Sequence, residues 1–438
     1  MTNQSVSIQP GRIRRRERDA IVASLRAGMV PRVGQQHIQV GRAAEVQAAA
    51  QDIDRIAGGG AGCRFVIGEY GSGKTFFLNL VRSVALEKRL VTVHADLSPD
   101  RRLYAGSGQA RSLYAELMRN LATRARPDGG ALASVVERFV TRALDEANAS
   151  GDDPADTIRS RLAALAELTG GYDFAAVVGT YWRGYDSGDE RLRADAVRWL
   201  RGEFTSRVDA RAALGVRTII DDATFYDHLK LMARFVRLAG FTGLLVCLDE
   251  MVNLYKITGS AVRSANYEQV LRIVNDTTQG SAEHIGFLFG GTPEFLMDPR
   301  RGLFSYPALA SRLAPNRFAS ADRVDHSGPV VRLGNLMPED IFVLLTRLRH
   351  VYADGDPARY LVPDETLTAY MAHCAARLGD AYFRTPRETI RGFLDLLALL
   401  EQHPDLHWSE LVRAVDLAAP AGPEPTTIDD DELTRFRL

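Results

Sequence analysis

Residues 63–75, CRFVIGEYGSGKT, constrain the fold of this chain more than any others. They contain Gly68, Glu69, Tyr70, Gly71, Ser72, Gly73, Lys74 and Thr75 in the pattern G-x-x-x-x-G-K-[ST], which is that of a loop cradling phosphates. The context matches. Residues 64–67 read as a short apolar strand entering the loop, and Phe76, Phe77, Leu78, Leu80 and Val81 supply the apolar positions of a helix leaving it. Each part has a physical task. The glycines let the backbone curl until its N–H groups point inward, and the helix N-terminus adds partial positive charge. Lys74 is expected to reach the β- and γ-phosphates of a nucleotide, and the Thr75 hydroxyl to hold Mg²⁺. A Gly-rich turn between strand and helix also arises by chance, but seldom with strand, loop and helix all present.

Residues 243–250, GLLVCLDE, are the second landmark. An unbroken apolar run is what a parallel strand buried on both faces requires. It ends in Asp249 and Glu250, where open α/β sheets bind ligands. Asp249 is expected to hold Mg²⁺ through its water shell, and Glu250 to orient or deprotonate an attacking water. An apolar strand ending in Asp is common by itself. Downstream of a complete phosphate loop it gains meaning.

Around these landmarks the chain divides by pattern. Residues 1–30 form an N-terminal arm carrying Arg12, Arg14, Arg15, Arg16 and Arg18 and a helix ending near Gly28. This run reads either as a phosphate or acidic-partner contact or as a solvated helix start, because Glu17 and Asp19 dilute its charge. Residues 31–100 hold the first part of the α/β core, with a second strand at 90–97 ending near Asp96. Residues 101–240 are helical almost throughout, interrupted by the loop SGDDP at 150–154. Trp182, Tyr185, Trp199 and Phe204 in that region suit helix packing better than a surface for bases. Residues 241–333 supply the Asp-Glu strand, a buried strand at 285–289 leading to Thr292, and a short strand at 330–333. Three helical stretches follow in 334–417. Residues 418–438 are rich in Pro and acid and read as a disordered or docking tail.

Composition excludes several classes. The net charge of −1 exerts no global pull on nucleic acid or membrane, so any DNA contact must come from a local basic patch. The chain has no apolar run long enough to span a membrane and no apolar leader, which predicts a cytoplasmic protein with no membrane contact. Cys63, Cys247 and Cys374 are widely spaced and read as reduced thiols.

The order of landmarks resembles that of the AAA+ ATPases, and more narrowly the branch shared with origin-recognition and STAND-type ATPases. That order is Val40-Gly41-Arg42, the phosphate loop, the Asp-Glu strand, a strand ending at Thr292, an arginine and a helical domain. The phrases VGRAAEVQ, FVIGEYGSGKTFFLNLV, GLLVCLDEMVNLYK and GFLFGGTPEFLMDPRRGLFSYPALASRL are similar to the BREX phage-defence ATP-binding family typified by BrxD. That similarity runs from about residue 15 to 417. It implies that Gly41 and Arg42 lie by the adenine, that Thr292 is the sensor-1 residue, and that Arg387 is the sensor-2 arginine of a helical lid. Arg312 is then the arginine finger reaching a neighbouring subunit, with Arg317 in reserve. About 175 positions separate Lys74 from Asp249, far more than a compact AAA+ core needs, so residues 101–240 must be a helical insertion.

The expected architecture is α/β, an AAA+-like P-loop NTPase with a parallel sheet, a large helical insertion and a C-terminal helical lid. The expected activity is Mg-ATP hydrolysis coupled to assembly or to DNA or partner remodelling in an antiphage system. The expected partners are other defence proteins, such as a helicase, and further copies of the chain in an ATP-dependent homo-oligomer. The alternative is a nucleotide-gated switch or loader with little turnover, against which Glu250 argues because a pure switch needs no water-activating carboxylate.

Overall fold

The computed structural model describes residues 13–104, 106–320, 323–378 and 386–414. Arg12, the first nine residues and the acidic tail at 418–438 lie outside them. Two compact units divide the chain, Gly41–Gly334 and the combination of Met1–Val40 with Asn335–Leu438. In chain order the elements are α1 (Arg15–Arg26), α2 (Ala43–Ala57), β1 (Ala61–Gly68), α3 (Lys74–Glu87) and β2 (Val91–Asp96). Seven helices follow among the described residues: α4 (Gln109–Arg119), α5 (Leu132–Ser150), α6 (Pro154–Ala166), α7 (Gly171–Ser187), α8 (Glu190–Leu200), α9 (Arg207–Leu214) and α10 (Phe225–Leu238). The sheet resumes with β3 (Leu244–Asp249), α11 (Val252–Tyr255), α12 (Ser260–Gln279), β4 (Ile285–Gly291), α13 (Pro293–Met297), α14 (Pro307–Arg312) and β5 (Val330–Leu333). The last helices are α15 (Pro338–Tyr352), α16 (Asp364–Leu378), α17 (Pro386–Gln402) and α18 (Trp408–Ala414).

The unit Gly41–Gly334 is built on a five-stranded sheet in the order β2-β3-β4-β1-β5, and every pair in it is parallel. Strand alternation divides its side chains between two cores. Phe65, Val93, Val246 and Phe287 face the core shared with the helices of residues 101–240, whereas Val66, Leu245, Cys247, Leu288 and Val331 face α2 and α3. The α/β expectation is met, and both faces are covered, as apolar parallel strands demand.

Residues 101–240 share one continuous apolar core with the sheet: Leu113, Phe139, Phe174, Trp199 and Phe235 are all fully buried in it. The same stretch also lies along an edge of the sheet. Ala122 exchanges both backbone hydrogen bonds with Thr92 at 3.0 and 2.8 Å, on the outer strand β2. An unpaired edge would invite other strands, and this pairing covers part of it. The loop at 150–154 works as a helix start, with Asp153 capping α6 through Asp156 N and Pro154 at the first position. Trp182, Trp199 and Phe204 are buried, so helix packing claims them, and Tyr185 stays 39% exposed.

In the other unit α1 packs against α17 and α15. Ile21 is fully buried, and Arg18 is committed there: Nε donates to Tyr352 O at 3.0 Å and its guanidinium lies 4.8 Å above the Tyr352 ring. Its Nη2 also donates to Glu401 at 3.3 Å. Arg14, Arg15 and Arg16 remain exposed.

Candidate nucleotide-binding site

Strand parity explains how the site assembles. Asp249 follows Leu245 and Cys247 at intervals of two, so its side chain points to the α3 face. There the phosphate loop turns into α3, and Thr75 Oγ1 donates to Asp249 Oδ2 at 2.8 Å. Two residues far apart in sequence are thus brought to one point. Gly290 on the adjacent β4 makes room, since a Cβ there would fall 2.2 Å from Asp249 Oδ1. Asp96, paired in register with Asp249, brings a third carboxylate to the same edge.

The loop itself has the form of an anion cradle. Gly71 and Gly73 adopt φ of +83° and +84°, a left-handed conformation that glycine enters without steric cost. Gly73 begins α3 with no side-chain cap, which leaves the first-turn N–H groups for a ligand. Lys74 Nζ donates to Gly68 O and Glu69 O, each at 2.8 Å, bonds that phosphate oxygens can replace. Ser72 Oγ is buried with no hydrogen-bond partner. Gly68 has no space for a side chain, because a Cβ would meet Ser72 Oγ at 2.3 Å. Glu69 and Tyr70 are exposed, Tyr70 by 72%, and Phe76 is half-buried.

Glu250 sits at φ +56°, a conformation that non-glycine residues rarely adopt and that is found at functional sites. Its N–H donates to Asp249 Oδ1 at 2.9 Å. The crowded crevice pushes its pKa up, first by desolvation and then through the Asp249 and Asp96 carboxylates, against Lys74 and Lys256. Desolvation lowers the pKa of Lys74, while Asp249, Glu250, Glu69 and Glu294 oppose it. Asp96 is raised by desolvation and by Asp249. Sequence reasoning gave Asp96 and Glu294 no part here, and only the strand register and the start of α13 bring them near.

The remaining sequence candidates are dispersed. Thr292 follows β4 and caps α13, accepting from Phe295 N at 3.4 Å. Arg312 is exposed at the end of α14, with Nε donating to Asn275 Oδ1 at 2.7 Å. Arg317 is exposed in the following loop. Gly41 and Arg42 both have positive φ, and Arg42 Nη2 donates to Ser72 O and to Gly334 O, each at 2.7 Å. Arg387 belongs to the other unit, where its Cδ would lie 3.2 Å from a Cβ at Gly28.

A Mg²⁺ ion fits the donor set of Thr75 and Asp249, a hydroxyl and a carboxylate already in contact. No group of three or more His, Cys, Asp or Glu side chains among the described residues could hold a metal alone, so phosphate and water oxygens would complete the shell. Among the same residues no helix is long and apolar enough to cross a membrane.

Comparison with known proteins agrees with this geometry. No curated protein matches the chain significantly. The family model described as "BREX system ATP-binding protein BrxC/D" matches residues 13–416, nearly the whole chain. It spans BrxC and BrxD alike. The chain belongs to the BREX system ATP-binding protein BrxC/D family.

Proposed function

We propose that the protein is a Mg-ATP hydrolase of AAA+-like type, of the BrxD branch of its family, and that it couples turnover to assembly or to remodelling of DNA or partner proteins. The observation that carries this reading is the 2.8 Å contact between Thr75 and Asp249 beside Glu250. A sheet in which β4 separates β1 from β3 supports it too, because Thr292 then follows the strand between the phosphate loop and the Asp-Glu pair. Catalysis is positioning and charge neutralisation. The first-turn N–H groups of α3 and Lys74 hold the β- and γ-phosphates. Glu250 accepts a proton from the attacking water, and Thr292 donates toward the γ-phosphate. Mg²⁺ held by Thr75 and Asp249 supplies further positive charge when bound. Arg312 serves a neighbouring copy in a homo-oligomer, Arg387 acts as sensor 2, and Gly41 borders the adenine while the Arg42 side chain turns to the phosphate-loop backbone. The setting is the bacterial cytoplasm, with other BREX proteins, among them a helicase, as partners. DNA contact falls to the N-terminal arginines.

Steady-state ATP turnover with Mg²⁺, with and without DNA, tests this for wild type and Glu250→Gln. Turnover in the wild type and a loss of about 10²–10⁴-fold in the variant are expected, the range for a general base. Tight ATP binding without turnover in the wild type would leave a nucleotide switch instead.

A further inference from the structure

The motif Val40-Gly41-Arg42 has a geometry that contact with an adenine would not require. One nitrogen of Arg42 donates to the phosphate loop at Ser72 O and to Gly334 O, both at 2.7 Å. Gly41 is where the chain enters the Gly41–Gly334 unit and Gly334 is where it leaves. A single guanidinium beside the entrance therefore joins the exit to the loop expected to hold phosphate. The backbone is bent to allow this. Gly41 and Arg42 take φ of +59° and +58° in succession, and for arginine that region is sterically disfavoured. An independent contact runs the same way. Gly68 is in register with Leu333, and a Cβ on Gly68 would fall 2.9 Å from Leu333 O. The loop and the exit thus touch through β1 and β5 as well as through Arg42.

We propose that Arg42 is a positioning residue that couples the state of the phosphate loop to Gly334, so that a bound nucleotide is felt where the chain leaves the ATPase unit. This rests on the ATP-binding reading above. A nucleotide fixes the loop backbone, including the Ser72 carbonyl. Arg42 Nη2, with its two N–H bonds fixed in the guanidinium plane, holds that carbonyl and passes the constraint to Gly334 O. A lysine keeps the charge and loses that fixed plane, because its ammonium turns freely on a flexible stem.

The test is hydrogen exchange on the full chain with and without Mg²⁺ and a non-hydrolysable ATP analogue, at concentrations that calorimetry shows to saturate each protein. Wild type, Arg42→Ala, Arg42→Lys and Lys74→Ala are compared over residues 68–75 and 330–337. In the wild type both segments should slow, the second by at least about fivefold, the lower end of ordinary coupling between sites. In both Arg42 variants residues 68–75 should still slow while 330–337 does not. Equal slowing at 330–337 in wild type and variants overturns the inference, as does protection of the wild-type loop alone. Loss of binding in folded Arg42 variants also overturns it, because Arg42 would then be a direct ligand contact. If Arg42→Ala does not fold, Arg42→Lys decides. If calorimetry finds no analogue bound to the wild type, the ATP-binding reading itself falls, and wild type and Lys74→Ala will look alike throughout.

Discussion

Thr75 Oγ1 and Asp249 Oδ2 lie 2.8 Å apart, joining the first turn of α3 to the end of β3 across 174 positions of sequence. The pair depends on a neighbour without a side chain. At Gly290 a Cβ would stand 2.2 Å from Asp249 Oδ1 and 2.9 Å from Leu78 Cδ1. Gly290→Ala should therefore destabilise the fold by about 1–3 kcal/mol, the usual cost of overpacking, and displace Asp249. Thermal melts and the Mg²⁺ dependence of turnover check the two effects. A variant with native stability and native Mg²⁺ dependence would show that Asp249 is not held from this side.

Lys74→Ala should abolish measurable ATP binding, because it removes the cation facing the β- and γ-phosphates. Fluorescent-nucleotide titration reads this directly. Wild-type affinity in the variant would remove Lys74 from the site.

The pH profile should carry the signature of Glu250. Desolvation and two carboxylate neighbours raise its pKa in the free protein, so the acidic limb of kcat/KM should lie above the ordinary carboxylate range. A base must be ionised, hence activity falls as pH drops through that raised value. Stability moves oppositely. The folded state holds the Glu250 proton more tightly than the unfolded chain, so ionisation opposes folding as pH rises through the window. Glu250→Gln should be at least as stable as wild type at neutral pH, with the limb gone. An unchanged limb in any residual activity would point to another base.

Arg312→Ala should bind ATP and hydrolyse it poorly if the arginine acts across a subunit boundary. Mixing this variant with Lys74→Ala should then restore part of the activity, since intact sites meet intact fingers. Activity independent of protein concentration, with no rescue on mixing, would argue for a monomeric enzyme.

Arg18 is occupied by Tyr352 and Glu401, whereas Arg14, Arg15 and Arg16 are exposed. If these three meet duplex phosphates, changing all of them to Ala should flatten the salt dependence of DNA binding by up to about 2.7 in log–log slope, at about 0.9 per contact. A wild type that binds no DNA at low salt would leave this end of α1 as a solvated helix start.

What the sequence determined by itself was everything encoded locally. The turn from β1 through Gly71 and Gly73 into α3 was legible because its glycines and lysine lie within one short stretch of chain. The five strands were legible from their apolar residues, in unbroken runs such as that of β3 and in alternation in the valine-rich β2, and β3 announced its Asp249-Glu250 end in the same way. Family membership was legible in the phrases around those landmarks, and the family match bears it out, without separating BrxD from BrxC. Tertiary structure decided whatever depends on register and reach. Only strand pairing places β4 between β1 and β3, sets Asp96 beside Asp249 and lays Ala122 along the edge of β2. Only packing makes residues 101–240 part of the sheet's own core, because helical periodicity shows that a face is buried and not what buries it. The arginines were least legible of all. A long side chain with several donors can satisfy them on many carbonyls, and nothing near Arg42 or Arg18 in sequence names Gly334 or Tyr352 as the acceptor.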